Sequence, residues 1–124
     1  MAGLPPSARL RRAADFTALR QATGRWQGRH FTLRWIGSLR NCPRLGMAVS
    51  RKVSKRAVER NRIKRVIRES FRARRESFPA LDILVIARTS SATSDNSVLR
   101  EDLDRAWRQL QALKPGPAPG TIGG

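Results

Sequence analysis

The residues best equipped for chemistry in this sequence are its arginines and lysines, which are concentrated between Arg51 and Arg75. This segment holds 12 basic and two acidic residues, a balance of 12 − 2 = +10, which is more than half of the chain's net charge of +17. Guanidinium groups match the geometry of phosphate oxygens and stack on bases. Ordinary solvated helix faces interleave acids with bases, because like charges destabilise a helix. The uncompensated charge therefore favours a phosphate-binding surface over a solvated face.

On a helical wheel this segment separates into two faces. One face holds Ile63, Val66, Ile67, Ser70 and Phe71, which are apolar except for the serine. The opposite face carries Asn61, Lys64, Arg65, Arg68, Arg72 and Arg75. A disordered basic tail would lack this regularity, and a helix lying on a membrane would have to withdraw its apolar face from the protein. The pattern predicts a helix from about Lys55 to Ser77, with Ser54 as its N-cap.

The composition limits the other kinds of chemistry. The 124 residues fit one domain, and the hydrophobic content of 40% is ordinary for a globular protein. Because His30 and Cys42 are each alone, no histidine triad, intrachain disulfide or cysteine zinc cluster can form. The acidic cluster Glu101, Asp102 and Asp104 is interpreted as balancing nearby arginines. We therefore expect no catalytic residue and no metal site in this chain.

The charge also predicts the kind of partner. Such an excess of positive charge points to an anionic partner, either nucleic acid or an acidic membrane surface. The longest apolar run, Ile83 to Ala87, is far too short to span a bilayer, and no signal-peptide pattern opens the sequence. We expect a cytoplasmic protein with no membrane partner.

The flanking segments predict the elements that position the basic face. We expect a short helix at 13–22, followed by Gly24 as its stop, and then the alternating strands HFTLRWI and LGMAVS. After the basic helix come the apolar strand LDILVIAR, covered on both faces, and a helix at about 98–113. The fold class is α+β, with a small, mainly antiparallel sheet packed with helices in the order α-β-β-β-α-β-α.

Each alternating strand has one bulky apolar face and one small or polar face. The bulky faces contain Phe31, Leu33, Trp35, Leu45, Met47 and Val49, and the small faces contain Thr32, Arg34, Gly46, Ala48 and Ser50. A face of small and polar residues can stay open as a shallow trough. An extended strand of RNA could lie there and stack on an aromatic residue such as Phe16. The alternative for Phe16 is a plain core position.

The stretch SRKVSKRAVERNRIKRVIR, with RNR at residues 60–62, resembles the signature of the protein subunit of bacterial ribonuclease P. RLRRAADF, HFTLRW, LGMAVS and DILVIAR stand in the order typical of that family, so the resemblance covers about residues 9–113. It implies a ribonucleoprotein endonuclease whose catalytic RNA subunit uses Mg²⁺ to remove the 5′ leader of precursor tRNA. The protein would bind no cofactor by itself, and one protein would serve one RNA.

Composition and the extent of the resemblance together predict the organisation of the chain. Residues 1–8 would be a flexible N-terminus, residues 9–114 a single RNA-binding domain, and residues 115–124 a disordered Pro/Gly tail. The family fold implies a left-handed β-α-β crossover, against the usual right-handed rule.

Particular residues acquire expected roles from the same resemblance. The RNA-facing motif contains Arg60, Asn61, Arg62, Lys64 and Arg65, with Arg51 and Lys52 beside it, and the basic face adds Arg68 and Arg72. The leader cleft is expected at Phe16, Arg20, Thr32, Arg34, Ala48 and Ser50. Arg20 and Arg34 stand where many relatives have aromatic residues, which predicts a more cationic cleft that binds phosphates more and bases less.

One alternative of a different class has the same composition. A basic structural RNA-binding protein, such as a ribosomal component, would also be strongly cationic. The RNRIKR helix between LGMAVS and DILVIAR favours the ribonuclease P subunit. A self-sufficient protein enzyme is not expected, because the few acids are scattered along the chain.

Overall fold

A computed structural model of the chain describes residues 24–37 and 42–113. Its regular elements are β1 (Gly24–Gln27), β2 (Phe31–Gly37), β3 (Arg44–Ala48), α1 (Ala57–Arg74), β4 (Leu81–Ala87) and α2 (Asn96–Gln111). Short 3-10 turns follow α1 at Arg75–Ser77 and β4 at Thr89–Thr93. The predicted N-terminal helix at 13–22, the flexible segment at 1–8 and the tail at 115–124 lie outside the described residues.

The four strands form one mixed sheet in the order β1-β2-β4-β3. β1 pairs with β2 and β2 pairs with β4 in antiparallel fashion, whereas β3 and β4 are parallel. Parallel neighbours need a long crossover connection, and α1 supplies it. The predicted α+β class, the mainly antiparallel sheet and the β-α-β unit are confirmed. The left hand of the crossover stays a prediction.

One face of the sheet and the apolar faces of both helices form the core. The alternation predicted for β2 is confirmed, because Phe31, Leu33 and Trp35 are buried while Thr32 and Arg34 are partly exposed. The stripe predicted for α1 is also buried: Ile63, Val66, Ile67 and Phe71. α2 contributes Leu99, Leu103, Ala106, Trp107 and Leu110. The helices therefore cover one face of the sheet with the residues that the periodicity selected.

The opposite face of the sheet is more open than the sequence predicted for β4. Leu84 and Ile86 are only partly buried, so the expectation that both faces of this strand are covered is wrong for one of them. On β3, Gly46 is buried although it shares this face, and Met47 is only partly buried on the other. Gly46 has no side chain to expose, and it lies directly opposite Leu84.

The start of α1 differs from the prediction that Ser54 caps it. The helix begins at Ala57, with Arg56 in the N-cap position and no side-chain cap. The Ser54 hydroxyl instead accepts a hydrogen bond from the Arg56 N–H at 3.1 Å, which closes a local turn. This competing turn delays the helix by two residues. The last predicted turn is a 3-10 segment, so the α-helical part ends at Arg74.

Gly24 begins β1, and its predicted role as the stop of the preceding helix stays a prediction, because that helix lies outside the described residues. A β-carbon at this position would overlap the indole of Trp35, its partner across the β1–β2 ladder. A β-carbon at Gly28, in the following turn, would overlap the indole of Trp26. Both glycines let an aromatic side chain lie against the backbone of this hairpin.

Candidate nucleic-acid interface

Most of the cations between Arg51 and Arg75 have no acceptor within the described protein. Three of the 12 basic side chains are engaged there: Arg60, Arg62 and Arg74. The other nine make no hydrogen bond or ion pair with it: Arg51, Lys52, Lys55, Arg56, Lys64, Arg65, Arg68, Arg72 and Arg75. We call the part of this set that lies on α1, together with Asn61, the free basic face (Asn61, Lys64, Arg65, Arg68, Arg72). Its charges are available to an external anion.

The free basic face is held in place by packing and not by charge pairing. Lys64, Arg68 and Arg72 follow one another at four-residue intervals, which is about 6 Å along a helix axis. Like charges at this spacing destabilise a helix. Ile63 and Ile67 on the opposite side are fully buried, so tertiary contacts offset the repulsion. An anion bound at this face would reduce the remaining repulsion.

Arg62 lies on a different flank of α1, where it is tied to the chain before α2. Its Nη1 donates to Asn96 Oδ1 at 2.7 Å and to the Ser94 carbonyl at 3.2 Å. Nη2 donates to the Ala92 carbonyl at 3.3 Å, and Nε pairs with Glu59 at 2.9 Å. Arg62 is partly exposed and avoids the apolar stripe, but its donors are used inside the protein. Its contact with RNA stays a prediction.

The helical wheel contained a signal for this difference. Arg62 falls about 200° from Arg60, outside the sector that holds the free basic face. The three residues of the RNR motif therefore have different surroundings in the folded protein. Arg60 donates to the carbonyls of Ser54 and Lys55, both at 3.0 Å, and only Asn61 is exposed without a partner.

Arg51 and Lys52 extend the cationic surface beyond α1. Both are exposed in the turn that follows β3. The Ser50 hydroxyl accepts a hydrogen bond from the Lys52 N–H at 3.2 Å, and the Ser50 carbonyl accepts one from Val53 at 3.0 Å. Ser50 thus shapes this turn, which puts its hydroxyl at the end of the predicted cleft and not on its floor.

The open face of the sheet brings together three of the predicted cleft residues. The strand register aligns Thr32 with Ile86 and Ala48, and it aligns Arg34 with Leu84. We call this surface the open sheet face (Thr32, Arg34, Ala48, Leu84, Ile86, with Arg25 and Gln27 from β1). Leu84 and Ile86 give it an apolar floor that the sequence did not predict, because β4 lies between β2 and β3. Phe16 and Arg20 lie outside the described residues.

Two buried carboxylates have roles that the sequence analysis missed. Asp102 accepts hydrogen bonds from the N–H groups of Arg29, His30 and Phe31 at 3.3, 3.0 and 3.1 Å. Asp82 forms a bidentate pair with Arg44 at 2.8 and 2.7 Å. The interpretation that the acidic cluster balances nearby arginines holds for Glu101 and Asp102, which Arg105 approaches at 3.9 and 3.6 Å, but it missed the hydrogen bonds that Asp102 accepts from the β1–β2 turn. The spacing of Asp102 from Leu99, three residues earlier on the buried stripe, was the available signal.

The remaining titratable groups show no further constellation in the described part of the chain. Within residues 24–37 and 42–113, no three His, Cys, Asp or Glu side chains lie close enough together to hold a metal ion. His30 is buried, and its Nδ1 lies 2.8 Å from the Ser90 hydroxyl. Over the same residues, neither helix combines the length and apolarity needed to cross a membrane.

Comparisons with known proteins agree with this geometry. The family model described as Ribonuclease P matches residues 4–111. The ribonuclease P protein component of Xanthomonas campestris pv. campestris (strain B100) is 41% identical over 118 residues, which cover 95% of this chain and 79% of that protein. The same component of Escherichia coli O6:H1 is 40% identical over 115 residues, 91% of this chain and 95% of that protein.

A solved structure is similar as well. The ribonuclease P protein of Staphylococcus aureus superposes with a TM-score of 0.77 and 30% identity, covering 82% of this chain and 94% of that one. Sequence and structure thus agree on one class, and the ribosomal alternative has no support from them.

Proposed function

The chain belongs to the ribonuclease P protein family, and from that premise we propose that its two open surfaces divide the work of RNA binding. As the protein component of this ribonucleoprotein endoribonuclease, it has the ribonuclease P RNA as its partner. The free basic face binds that RNA subunit. The open sheet face holds the single-stranded 5′ leader of precursor tRNA.

The observation that carries the first part is the set of nine cations without an acceptor in the described protein. Arg65 and Arg72 are exposed on α1, and Arg51 and Lys52 are exposed just before it. Each arginine can donate two parallel hydrogen bonds to a phosphate, which is the geometry that guanidinium groups favour. Phosphates of a folded RNA would supply the acceptors that the protein lacks.

The second part is supported by the chemistry of the open sheet face. Leu84 and Ile86 offer an apolar floor on which a base can rest, while Arg34 offers a charge beside it. Small neighbours such as Thr32 and Ala48 leave room above the floor. We propose that Ser50 lies at one end of this path and that Phe16 and Arg20 border it.

The chemical step is assigned to the RNA subunit with Mg²⁺, and one protein serves one RNA. This division is supported by the use of the two buried carboxylates inside the protein. Asp82 is paired with Arg44, and Asp102 is bonded to three backbone amides. Neither group is left to activate water or to hold a cation.

Reconstitution tests the proposal. We expect the full chain, added to its cognate RNA subunit at low Mg²⁺, to make cleavage of precursor tRNA efficient. The triple variant Arg65→Gln, Arg68→Gln, Arg72→Gln should lose this effect at moderate salt. The matched control Arg100→Gln, Arg105→Gln, Arg108→Gln removes the same charge from the exposed side of α2 and should retain it. Equal loss in both variants would show that only the total positive charge matters and not its position on the free basic face.

A further inference from the structure

The sheet contains two directly opposed charged pairs of contrasting kind. On the parallel side, Arg44 lies opposite Asp82, and the two form a bidentate ion pair. On the antiparallel side, Arg25 of β1 lies opposite Arg34 of β2. Like charges directly across a ladder destabilise it, because their β-carbons are only about 4.5–5.5 Å apart. In the first pair the two charges neutralise each other. In the second pair the two positive charges repel each other unless an anion binds between them.

Within the described residues, no carboxylate pairs with either of these two arginines. Arg25 is exposed, and neither Arg25 nor Arg34 makes a hydrogen bond or ion pair there. The Nε of Arg34 is shielded from solvent and has no hydrogen-bond partner. A shielded donor without an acceptor destabilises the protein, because it has lost its hydrogen bonds to water. Two guanidinium groups and one unmet donor therefore converge on the same side of the sheet.

Both side chains stand on the open sheet face. Trp26, the residue after Arg25, packs against the core and lies opposite the buried Leu33. The alternation of a strand therefore puts Arg25 on the other side, with Gln27 and Thr32 as the next opposed pair on that face. Arg34 in turn lies beside Leu84, the apolar floor of the proposed leader path.

We propose that Arg25 and Arg34 together form a seat for one phosphate of the leader, at the margin of the sheet where the single strand passes over β1. This inference rests on the proposed function. It adds Arg25 to the residues that bind the leader, and it predicts that the leader leaves the sheet across β1. A phosphate between the two guanidinium groups removes their repulsion and supplies an acceptor for Arg34 Nε. Because a phosphate is common to every nucleotide, this seat holds the leader without reading its sequence.

The plainer role for Arg25 is protection of a sheet edge. β1 is an edge strand, and charged side chains there discourage pairing with other chains. That role needs no anion and predicts no effect of Arg25 on RNA binding. It also leaves the shielded Arg34 donor without an explanation. The two roles therefore differ in measurable consequences.

The binding test uses the full chain assembled with its RNA subunit, and it compares the affinities of precursor and mature tRNA. We expect Arg25→Gln and Arg34→Gln each to weaken precursor binding by about tenfold and to leave mature tRNA unchanged. The double variant should lose little more than either single one, because both side chains share one phosphate. Each variant should reduce the magnitude of the log–log salt slope by about 0.7. The control Arg100→Gln, exposed on α2 and without a partner in the described protein, should match wild type.

A stability test on the free protein examines the pairing itself. Arg25→Glu turns the like-charged pair into an opposite pair, so the thermal midpoint should rise by about 1–5 °C relative to the control Arg100→Glu. The same variant should bind the leader more weakly. Opposite signs for stability and binding are expected of a binding site and not of a structural residue.

The failures are distinguishable. If the wild-type complex does not prefer precursor over mature tRNA, the proposed leader function fails, and this seat fails with it. If wild type shows the preference but Arg25→Gln retains it, only the seat is overturned and Arg25 is an edge guard. Equal weakening of both tRNAs would assign the phosphate to another part of the RNA and overturn the leader as its source. No rise in stability for Arg25→Glu would overturn the coupling of the two arginines.

Discussion

The two flanks of α1 use the same residue types for opposite purposes. On one flank, Arg62 binds Glu59, Asn96 and two carbonyl groups of the chain before α2. We call these contacts between α1 and the start of α2 the junction. On the free basic face, Arg65 lies three residues later and has no partner in the described protein. The difference teaches that an arginine-rich motif is not a uniform RNA-binding surface. What decides the role of each arginine is whether the fold brings backbone acceptors within reach.

The largest expected effect is on stability, and it concerns a charged group that is hydrogen-bonded inside the protein, as Arg62 is. Asp102→Ala should lower the free energy of unfolding by about 2–4 kcal/mol, because three backbone N–H groups lose a charged acceptor in a buried site. Glu101→Ala, at the exposed neighbouring position, should stay within about 0.5 kcal/mol of wild type. Urea denaturation of both variants measures the difference. Equal values would mean that the amides of the β1–β2 turn find other acceptors.

The next prediction separates the two flanks of α1 directly. Arg62→Ala should cost about 1–3 kcal/mol of stability, since the acceptors at Ser94, Ala92 and Asn96 lose their donor. Arg65→Ala removes the same charge and should cost less than about 0.5 kcal/mol. Urea unfolding at one ionic strength compares the two. A stable Arg62→Ala protein would show that the junction contributes nothing to the fold.

Binding should show the reverse order for the free basic face. Arg65→Ala and Arg68→Ala should each weaken assembly with the RNA subunit and reduce the magnitude of the salt slope by about 0.7–0.9 per lost phosphate contact. Their unfolding curves should match that of wild type. A titration of the RNA subunit at several salt concentrations gives the slope. If the slope is unchanged in both variants, this face is a solvated surface after all.

The smallest expected effect identifies what holds Arg62. Glu59→Gln should cost less than about 1 kcal/mol, because the partly exposed ion pair is screened by solvent and the three other acceptors remain. Asn96→Ala removes the shortest of those bonds, at 2.7 Å, and should cost more. The order of the two losses in thermal unfolding checks this account. A larger loss for Glu59→Gln would show that the ion pair contributes more to holding Arg62 than the hydrogen bonds to Asn96 and the backbone carbonyls do.

Much of the fold follows from local pattern. The buried stripe of α1, the alternation of β2 and the apolar face of α2 are all as the periodicity predicts. The end of α1 and the role of Ser54 were less predictable, because a serine hydroxyl can close a turn or cap a helix with the same chemistry. The candidate site follows the same division. The wheel identifies Lys64, Arg65, Arg68 and Arg72 and places Arg62 outside their sector, but it does not identify the acceptors that Arg62 binds.

By itself the sequence determined which side of α1, β2 and α2 is buried, the cationic character of α1 and the family signature. These are local properties, since side-chain direction repeats every 3.6 residues in a helix and every two in a strand. Only the tertiary structure decided that β4 lies between β2 and β3, that Asp102 binds a turn 72 residues away, and that Arg25 opposes Arg34. Such pairings depend on strand order and on contacts between distant segments. Local periodicity carries no information about which segments meet, so these partners emerge only when the chain is folded.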